Sequence, residues 1–296
     1  MSPPSFRSGF CCFVGRPNAG KSTLTNALVG SKIVITSDKP QTTRHAVRGI
    51  VTRADGQLVL VDTPGLHRPR TLLGERLNDV VRSTLADVDV VGLCIPADQK
   101  IGPGDRFIAA ELANVRATVI AIVTKIDAVP KQRVAEQLVA VSQLGEYAEI
   151  VPVSAVSGAQ VDLLTGLLIS RMPEGPQLYP DDLITDNDVE ARVGELIREA
   201  ALTGVRDELP HSIAVTVQEM RRRENGLQEI FATIHLERDS QKGIVIGPQG
   251  VRLRAIGTTA RAGIEALLGE RVHLDLHVAV EREWQRDPKK LDRLGF

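Results

Sequence analysis

Residues 15–22 read GRPNAGKS, and this stretch satisfies G-x-x-x-x-G-K-[ST] through Gly15, Gly20, Lys21 and Ser22. An apolar run, Gly9–Val14 (GFCCFV), precedes it, and a helical pattern, Ser22–Val29, follows. That strand–loop–helix setting turns a string match into a phosphate site. Backbone N–H groups of the loop, with Asn18, Ala19 and Thr23 among the residues facing the anion, join the helix N-terminus in supplying partial positive charge. Lys21 adds a full charge at the terminal phosphates, and Ser22 offers a hydroxyl to Mg²⁺. Gly15 and Gly20 permit backbone angles and close approaches that a Cβ would block. At ordinary glycine frequency, a chance match in such a chain has odds of roughly one in a hundred.

The next signals say which nucleotide. Ala117–Val123 (ATVIAIV) is a continuous apolar run, as expected of a strand buried on both faces. It ends in Thr124-Lys125-Ile126-Asp127. A carboxylate there can accept two hydrogen bonds from guanine, at N1–H and the exocyclic amine, and adenine offers no such pair. Standing alone, Asp127 would read as a cap on the next helix; after a P-loop and a D-x-x-G it reads as the guanine selector. Lys125 can lay its alkyl stem along the base. A second run, Ile150–Val153, ends in Ser154-Ala155, whose backbone could approach the guanine oxygen, although the pair alone is an ordinary strand-to-loop turn. Between these lies Asp62-Thr63-Pro64-Gly65, after the apolar Leu58–Val61. Asp62 is placed to hold Mg²⁺ through water, and the Gly65 N–H to sense a γ-phosphate. Upstream, Gln41-Thr42-Thr43-Arg44 occupies a polar loop, where a threonine, assigned to Thr43, could reach Mg²⁺ only when the triphosphate is bound. Four short signals in this order describe a GTP-binding switch.

Composition sets the bounds. With 296 residues, the chain exceeds one average domain, and 43% hydrophobic with 25% charged residues is the balance of a globular protein. Aromatic residues make up only 3%, so the cores must be built on Val, Leu, Ile and Ala. A net charge of −1 means that any nucleic-acid affinity must come from a local patch. Cys11, Cys12 and Cys94 fall inside predicted strands; adjacent Cys11 and Cys12 point to opposite faces, so no disulfide or metal spacing arises. No signal-peptide pattern and no apolar run of ~18 residues is visible, and the expected location is the cytoplasm.

Strands are predicted near 9–15, 46–53, 57–62, 88–96, 117–124 and 148–153, with helices over 20–30, 72–85, 104–114, 131–144 and 159–171. Asp55-Gly56 is a hairpin turn, so strands two and three pair antiparallel; the remainder implies a mostly parallel sheet with its motifs at the strands' C-terminal ends. The first domain is therefore an α/β P-loop GTPase domain, residues 1–171. At Met172 the composition shifts: MPEGPQLYPDDLITD holds three prolines and several acids, which reads as an extended linker over 172–186. The remaining 187–296 run helix (187–203), strand (211–220), strand (228–238), a helix pair to about 268, strand (Val272–Val280) and a polar tail with Trp284, Lys289, Lys290 and Arg293. Gly247-Pro248-Gln249-Gly250 lies at the junction of the two helices. Helix–strand–strand–helix–helix–strand with G-x-x-G at that junction is the pattern of an α+β KH module, in which the loop clamps a nucleic-acid backbone. Ile246, Val251 and Leu253 are candidates for the groove wall, and Arg252, Arg254 and Arg261 for phosphate contacts.

Taken together, the residues resemble the Era family of bacterial GTPases over nearly the whole chain. GRPNAGKS, QTTRH, DTPGLH and TKID look like that family's guanine-nucleotide motifs; YPDD, ELIRE (195–199), DELPHS (207–212) and ERDSQK (237–242) follow its linker and KH domain. The resemblance implies a Ras-like domain joined to a type II KH domain. It also implies binding of the 3′ end of 16S ribosomal RNA during assembly of the 30S subunit. The implied ligands are GTP and GDP with Mg²⁺. The chain is expected to act as a monomer, with at most a weak peripheral membrane contact through its basic tail. Catalysis would rest on Lys21, Thr43, Gly65 and Asn18, the last matching an asparagine that related GTPases use to hold K⁺ beside the phosphates. Three places depart from the family pattern. Thr124 stands where Asn is usual, Pro248-Gln249 where the loop usually has lysine, and Ala279 where a lysine is expected. Separately, Leu66 occupies the place where Ras-like enzymes commonly carry a water-orienting glutamine, which implies slow turnover and leaves two alternatives: a GTP-dependent RNA-binding module with negligible hydrolysis, or a membrane-surface or cell-cycle GTPase switch.

Overall fold

A computed structural model describes residues 5–37, 39, 42–65, 71–205 and 209–296. Gln41, Leu66, His67, Asp207 and Glu208 of the motifs quoted above lie outside the described residues. The chain divides into two units, the first reaching Asp186 and the second centred on 187–296.

In the first unit, β1 (Arg7–Val14), β2 (Val47–Arg53), β3 (Gly56–Asp62), β4 (Val90–Pro96), β5 (Thr118–Thr124) and β6 (Glu149–Pro152) form one sheet in the order β2-β3-β1-β4-β5-β6. Only β2 runs antiparallel, paired to β3 through the hairpin that brings Arg53 opposite Gly56. β3 and β4 are buried along their whole length, which is why they read as unbroken apolar runs. The helices are α1 (Lys21–Val29), α2 (Leu72–Asp87), α3 (Pro103–Leu112), α4 (Lys131–Ser142) and α5 (Val161–Ser170). α1 and α5 cover one face, where Leu24, Leu28, Leu164 and Leu168 pack with Cys11 and Leu60. α2, α3 and α4 cover the other, where Val81, Ile108, Leu112 and Val141 pack with Cys12 and Val91. The neighbouring cysteines thus serve opposite cores, as period-two alternation demands. All three thiols are free and buried, and burial pushes Cys12 and Cys94 up to about 12, so they act as inert apolar filler.

Residues 172–186, read as an extended linker, carry no helix but are laced to the first unit. Ser8 N–H donates to Pro173 O (3.1 Å), Ile50 N–H to Ile184 O (2.9 Å) and Thr185 Oγ1 to Arg48 O (2.7 Å). Fully buried Gln57 accepts from the N–H groups of Leu178 and Tyr179 and donates to Tyr179 O. The strap thereby covers the open edge of β2, where unpaired backbone groups would otherwise face solvent.

In the second unit, α6 (Val189–Leu202), β7 (Ala214–Arg222), β8 (Gln228–Leu236), α7 (Asp239–Ile246), α8 (Val251–Leu268) and β9 (Val272–Val280) occur in the predicted order. β7 and β8 pair antiparallel, and β8 and β9 parallel across the α7–α8 connection. The helices share one face of the sheet, and Ile197, Ile230, Ile234, Val245, Ile256 and Ile264 form its core. The C-terminal segment is not simply the polar tail expected. Trp284 is fully buried and stacks on Phe296 at 5.5 Å between ring centroids. Asp287 caps a final helix, α9 (Pro288–Arg293), by accepting from the Lys289 and Lys290 N–H groups, and Leu291 and Leu294 are buried behind it. A few widely spaced apolar residues suffice to dock this segment, and average polarity hides them.

Candidate functional site

The loop after β1 is shaped by backbone geometry that glycine and asparagine tolerate. Gly15 has φ 156°, and a Cβ there would sit 2.6 Å from Cys94 O. Gly20 has φ 89° at the N-cap of α1. Between them Pro17 and Asn18 (φ 63°) occupy the centre of a turn closed by Ala19 N–H to Arg16 O at 3.2 Å, the residue pattern of a type II turn. Lys21 is 8% exposed and folds back over this loop, donating from Nζ to Gly15 O and Arg16 O at 3.2 Å each. Thr23 lies two residues further into α1, half-buried.

Three oxygen-bearing side chains from three elements meet beside Lys21. Ser22 Oγ donates to Asp62 Oδ2 (3.1 Å), Thr43 Oγ1 donates to the same oxygen (3.0 Å), and the two hydroxyls lie 3.1 Å apart. Asp62 is fully buried, and its Oδ1 has no hydrogen-bond partner among the described residues. Burial raises the Asp62 carboxyl above its ordinary value, opposed by the Lys21 charge and the two hydroxyls. Burial likewise lowers Lys21, opposed by Asp62. The pocket holds two desolvated charges of opposite sign, which an anion beside Lys21 and a hard cation beside Asp62 would each stabilise. Carboxylate and hydroxyl oxygens are the donor set Mg²⁺ takes alongside phosphate, so these residues fit that ion. Gly65 closes the site: a Cβ there would lie 3.4 Å from Lys21 Nζ and 3.6 Å from Gly15 O.

The residues expected to read the base sit at the end of β5. Thr124 is 4% exposed, and its Oγ1 donates to Ala19 O at 2.6 Å. The loop-to-loop bridge therefore persists with a hydroxyl in place of an amide. Lys125 adopts a left-handed backbone (φ 58°), and its Nζ pairs with Asp98 at 3.3 Å. Asp127 is exposed in the 3₁₀ turn Ile126–Ala128. Ser154 is buried with its N–H given to Ala159 O, which leaves Ala155 as the member of that pair suited to approach a base.

In the second unit, Gly247 (φ 71°), Gln249 (φ 50°) and Gly250 (φ 75°) turn the chain between α7 and α8. A Cβ on Gly247 would meet Arg252 Cβ at 2.8 Å, so both its angle and the close approach require glycine. Pro248 and Gln249 are exposed. The three arginines part company. Arg254 folds back on the loop, donating from Nη2 to Gln249 O (2.9 Å), and so places a cation where the loop lacks lysine. Arg252 donates to Thr203 O (2.9 Å), and Arg261 is exposed further along α8. Ile246 and Leu253 pack on the core, whereas Val251 is 59% exposed. Ile244, 52% exposed, joins Val251 as an apolar flank of the loop. It follows Gly243 inside the stretch that marks the motif, yet only the helix geometry turns it outward next to buried Val245.

A phosphate loop, a magnesium-type oxygen cluster and a guanine-type TKxD together define a P-loop GTPase, here joined to a KH module. A family model described as 50S ribosome-binding GTPase matches residues 10–125, and a KH domain model matches 208–285. The GTPase Era of a Nocardioides species is 64% identical across 99% of this chain and 97% of its own length. That of Streptomyces coelicolor is 64% identical across 98% and 95%. The chain belongs to the Era family of GTPases. A crystal structure of Era in complex with MgGDPNP and nucleotides 1506–1542 of 16S ribosomal RNA superposes with a TM-score of 0.94, at 34% identity across 98% of this chain and 99% of that one. A variant of Aquifex aeolicus Era bound to GDP and AlF4⁻ superposes at 0.92, with 35% identity across 98% and 99%.

Proposed function

We propose that this GTPase binds the 3′ end of 16S ribosomal RNA through its KH module and assists assembly of the 30S subunit, with bound GTP or GDP setting its state. The observation that carries the nucleotide half is the meeting of Ser22, Thr43 and Asp62 beside Lys21, with one carboxylate oxygen unpaired. In this reading the N–H groups of Asn18, Gly20, Lys21, Ser22 and Thr23 cradle the phosphates, Ala19 closes the turn beneath them, Gly15 keeps the loop close, and Ser22, Thr43 and Asp62 hold Mg²⁺. Bound Mg²⁺ neutralises charge on the terminal phosphate oxygens. Lys21 stabilises the charge that develops there as water attacks in line, and the Gly65 N–H senses the γ-phosphate. Asp127 selects guanine, Lys125 covers the base, and Thr124, Ser154 and Ala155 complete the base pocket. Thr43 is the residue whose position depends on a triphosphate, because its hydroxyl reaches Asp62 from a loop rather than a helix.

On the RNA side, Gly247-Pro248-Gln249-Gly250 would approach the backbone, Arg254, Arg252 and Arg261 would meet phosphates, and Ile246 would support the apolar flank of Ile244 and Val251. Asn18 at the turn centre is the proposed K⁺ ligand; faster turnover in potassium than in sodium, lost in Asn18→Ala, is the expected result. A cytoplasmic monomer suits these ligands. Of the tail cations invoked for a membrane contact, Arg293 pairs with Glu281 (2.6 Å) and Lys290 Nζ donates to Arg282 O (2.6 Å). The deciding experiment measures filter binding of an RNA from the 3′ end of 16S rRNA to the GTP-analogue and GDP forms, beside GTP turnover. Equal affinity in both forms, or no affinity in either, defeats the proposal.

A further inference from the structure

Arg16, a variable position of the phosphate-loop motif, pairs with Asp105, which none of the nucleotide motifs includes. Arg16 Nε donates to Asp105 Oδ1 at 2.7 Å, and Asp105 is 1% exposed. The other carboxylate oxygen of Asp105 accepts the Gly102 N–H at 2.8 Å and so caps the N-terminus of α3. Gly104, one residue before Asp105, leaves room for the arginine stem, because a Cβ there would sit 2.8 Å from Arg16 Cδ. The Arg16 backbone is a junction of the phosphate loop: its carbonyl accepts both Ala19 N–H, which closes the turn, and Lys21 Nζ. Arg16 Nη2 is buried without a hydrogen-bond partner among the described residues.

We infer that Asp105, acting through Arg16, is a positioning residue for GTP: it clamps the 16–19 turn to α3 and holds its N–H groups and the Lys21 ammonium in phosphate-accepting order before the nucleotide arrives. Pre-ordering the loop spares the nucleotide the cost of organising it, so the clamp acts on affinity for the phosphates more than on chemistry at saturation. Short charge-assisted bonds are the strong ones, and this one is shielded from water on the carboxylate side. The inference rests on the assignment of residues 15–22 as the phosphate loop.

The test uses the full chain and fluorescent GDP and GTP analogues. Arg16→Met keeps the stem and removes the guanidinium. It should weaken both nucleotides about tenfold and leave kcat at saturation within about twofold, while lowering the melting temperature of the nucleotide-free protein by several degrees, because buried Asp105 loses its cation. Asp105→Asn should weaken binding by a similar factor and also lower the melting temperature, since the α3 cap is impaired. The double variant should bind no more weakly than Asp105→Asn alone, because the two residues act as one unit. Unchanged affinity in Arg16→Met, or losses that simply add, overturns the clamp. Lys21→Ala in the same assay keeps the two readings apart. If it binds like the parent, the phosphate-loop assignment itself is wrong; if it loses binding while Arg16→Met does not, only the clamp falls.

Discussion

Thr124 illustrates what a single oxygen can keep. It stands where Era-like chains usually carry Asn, yet its hydroxyl donates to Ala19 O at 2.6 Å from a buried position, tying the base-reading loop to the phosphate loop. A buried hydrogen bond of this kind contributes about 1 kcal/mol, and leaving its acceptor unpaired costs more. Thr124→Val, which is nearly the same shape, should therefore weaken GDP about five- to tenfold, and Thr124→Ser should bind like the parent. Titration with a fluorescent GDP analogue decides it, and an unaffected valine variant would show the bond to be idle. In the proposed reading Asp127 acts on the base itself. Asp127→Asn places a donor where guanine also presents one, while xanthine presents a carbonyl; preference should shift to xanthine nucleotides in a competition assay. The role proposed for Asp127 comes from carboxylate chemistry at a motif that is contiguous in the sequence. The Arg16–Asp105 clamp was not legible there, because its partners lie far apart in sequence and only the sheet order brings α3 to the loop.

At the scale of elements, the α7–α8 turn carries the RNA hypothesis. Replacing Gly247 and Gly250 by Asp forces side chains into left-handed backbone positions and adds negative charge at the loop. RNA binding should be lost while GTP turnover persists. Gln249→Lys should tighten binding and steepen the salt dependence by ~0.7 in log–log slope, one extra phosphate contact on a single strand. No change in either quantity would mean the loop does not touch phosphate. The β7–β8 pair holds a second titratable element. His235 bonds Thr216 Oγ1 through Nε2 at 2.8 Å, and its Nδ1 is buried without a partner among the described residues. Burial lowers its pKa from 6.5, opposed by Glu281 and aided by Arg293 and His277. The unfolded chain then binds a proton more readily than the folded one. The contribution of this site to stability is complete above pH 6.5 and falls as pH drops below it. His235→Gln should flatten the melting temperature between about pH 5 and 6.5 relative to the parent. Parallel curves for the two proteins would exclude His235 as the titrating group.

For the whole molecule, the second unit's core is drawn from Val193 to Val278, with helices covering one face of the three-stranded sheet. A fragment of residues 187–296 is therefore expected to melt cooperatively and to bind the 3′-end RNA with no nucleotide present. A fragment without a cooperative transition would show that the module draws its stability from the rest of the chain. The strap over 172–186 belongs to the opposite lesson. Its prolines and acids read as a spacer, but Gln57, Ile50 and Arg48 bind it along the sheet edge. Those partners are more than a hundred residues away, and no local pattern announces them.

By itself the sequence determined the order and type of nearly every element, the α/β character of the first unit and the helix–strand order of the second. It also named the residues proposed to face the nucleotide. All of these follow from short-range physics: apolar periodicity, backbone freedom at glycine, and charge placed beside a loop. The tertiary structure alone decided how distant side chains complete one another. It brought Thr43 from a polar loop onto Asp62, sent Arg254 back to the G-x-x-G turn and tied Arg252 to Thr203 O. It also buried Trp284 against Phe296 and joined Arg16 to Asp105. Each is a contact whose energy depends on burial and geometry at the meeting point, and neither quantity exists until the chain has folded.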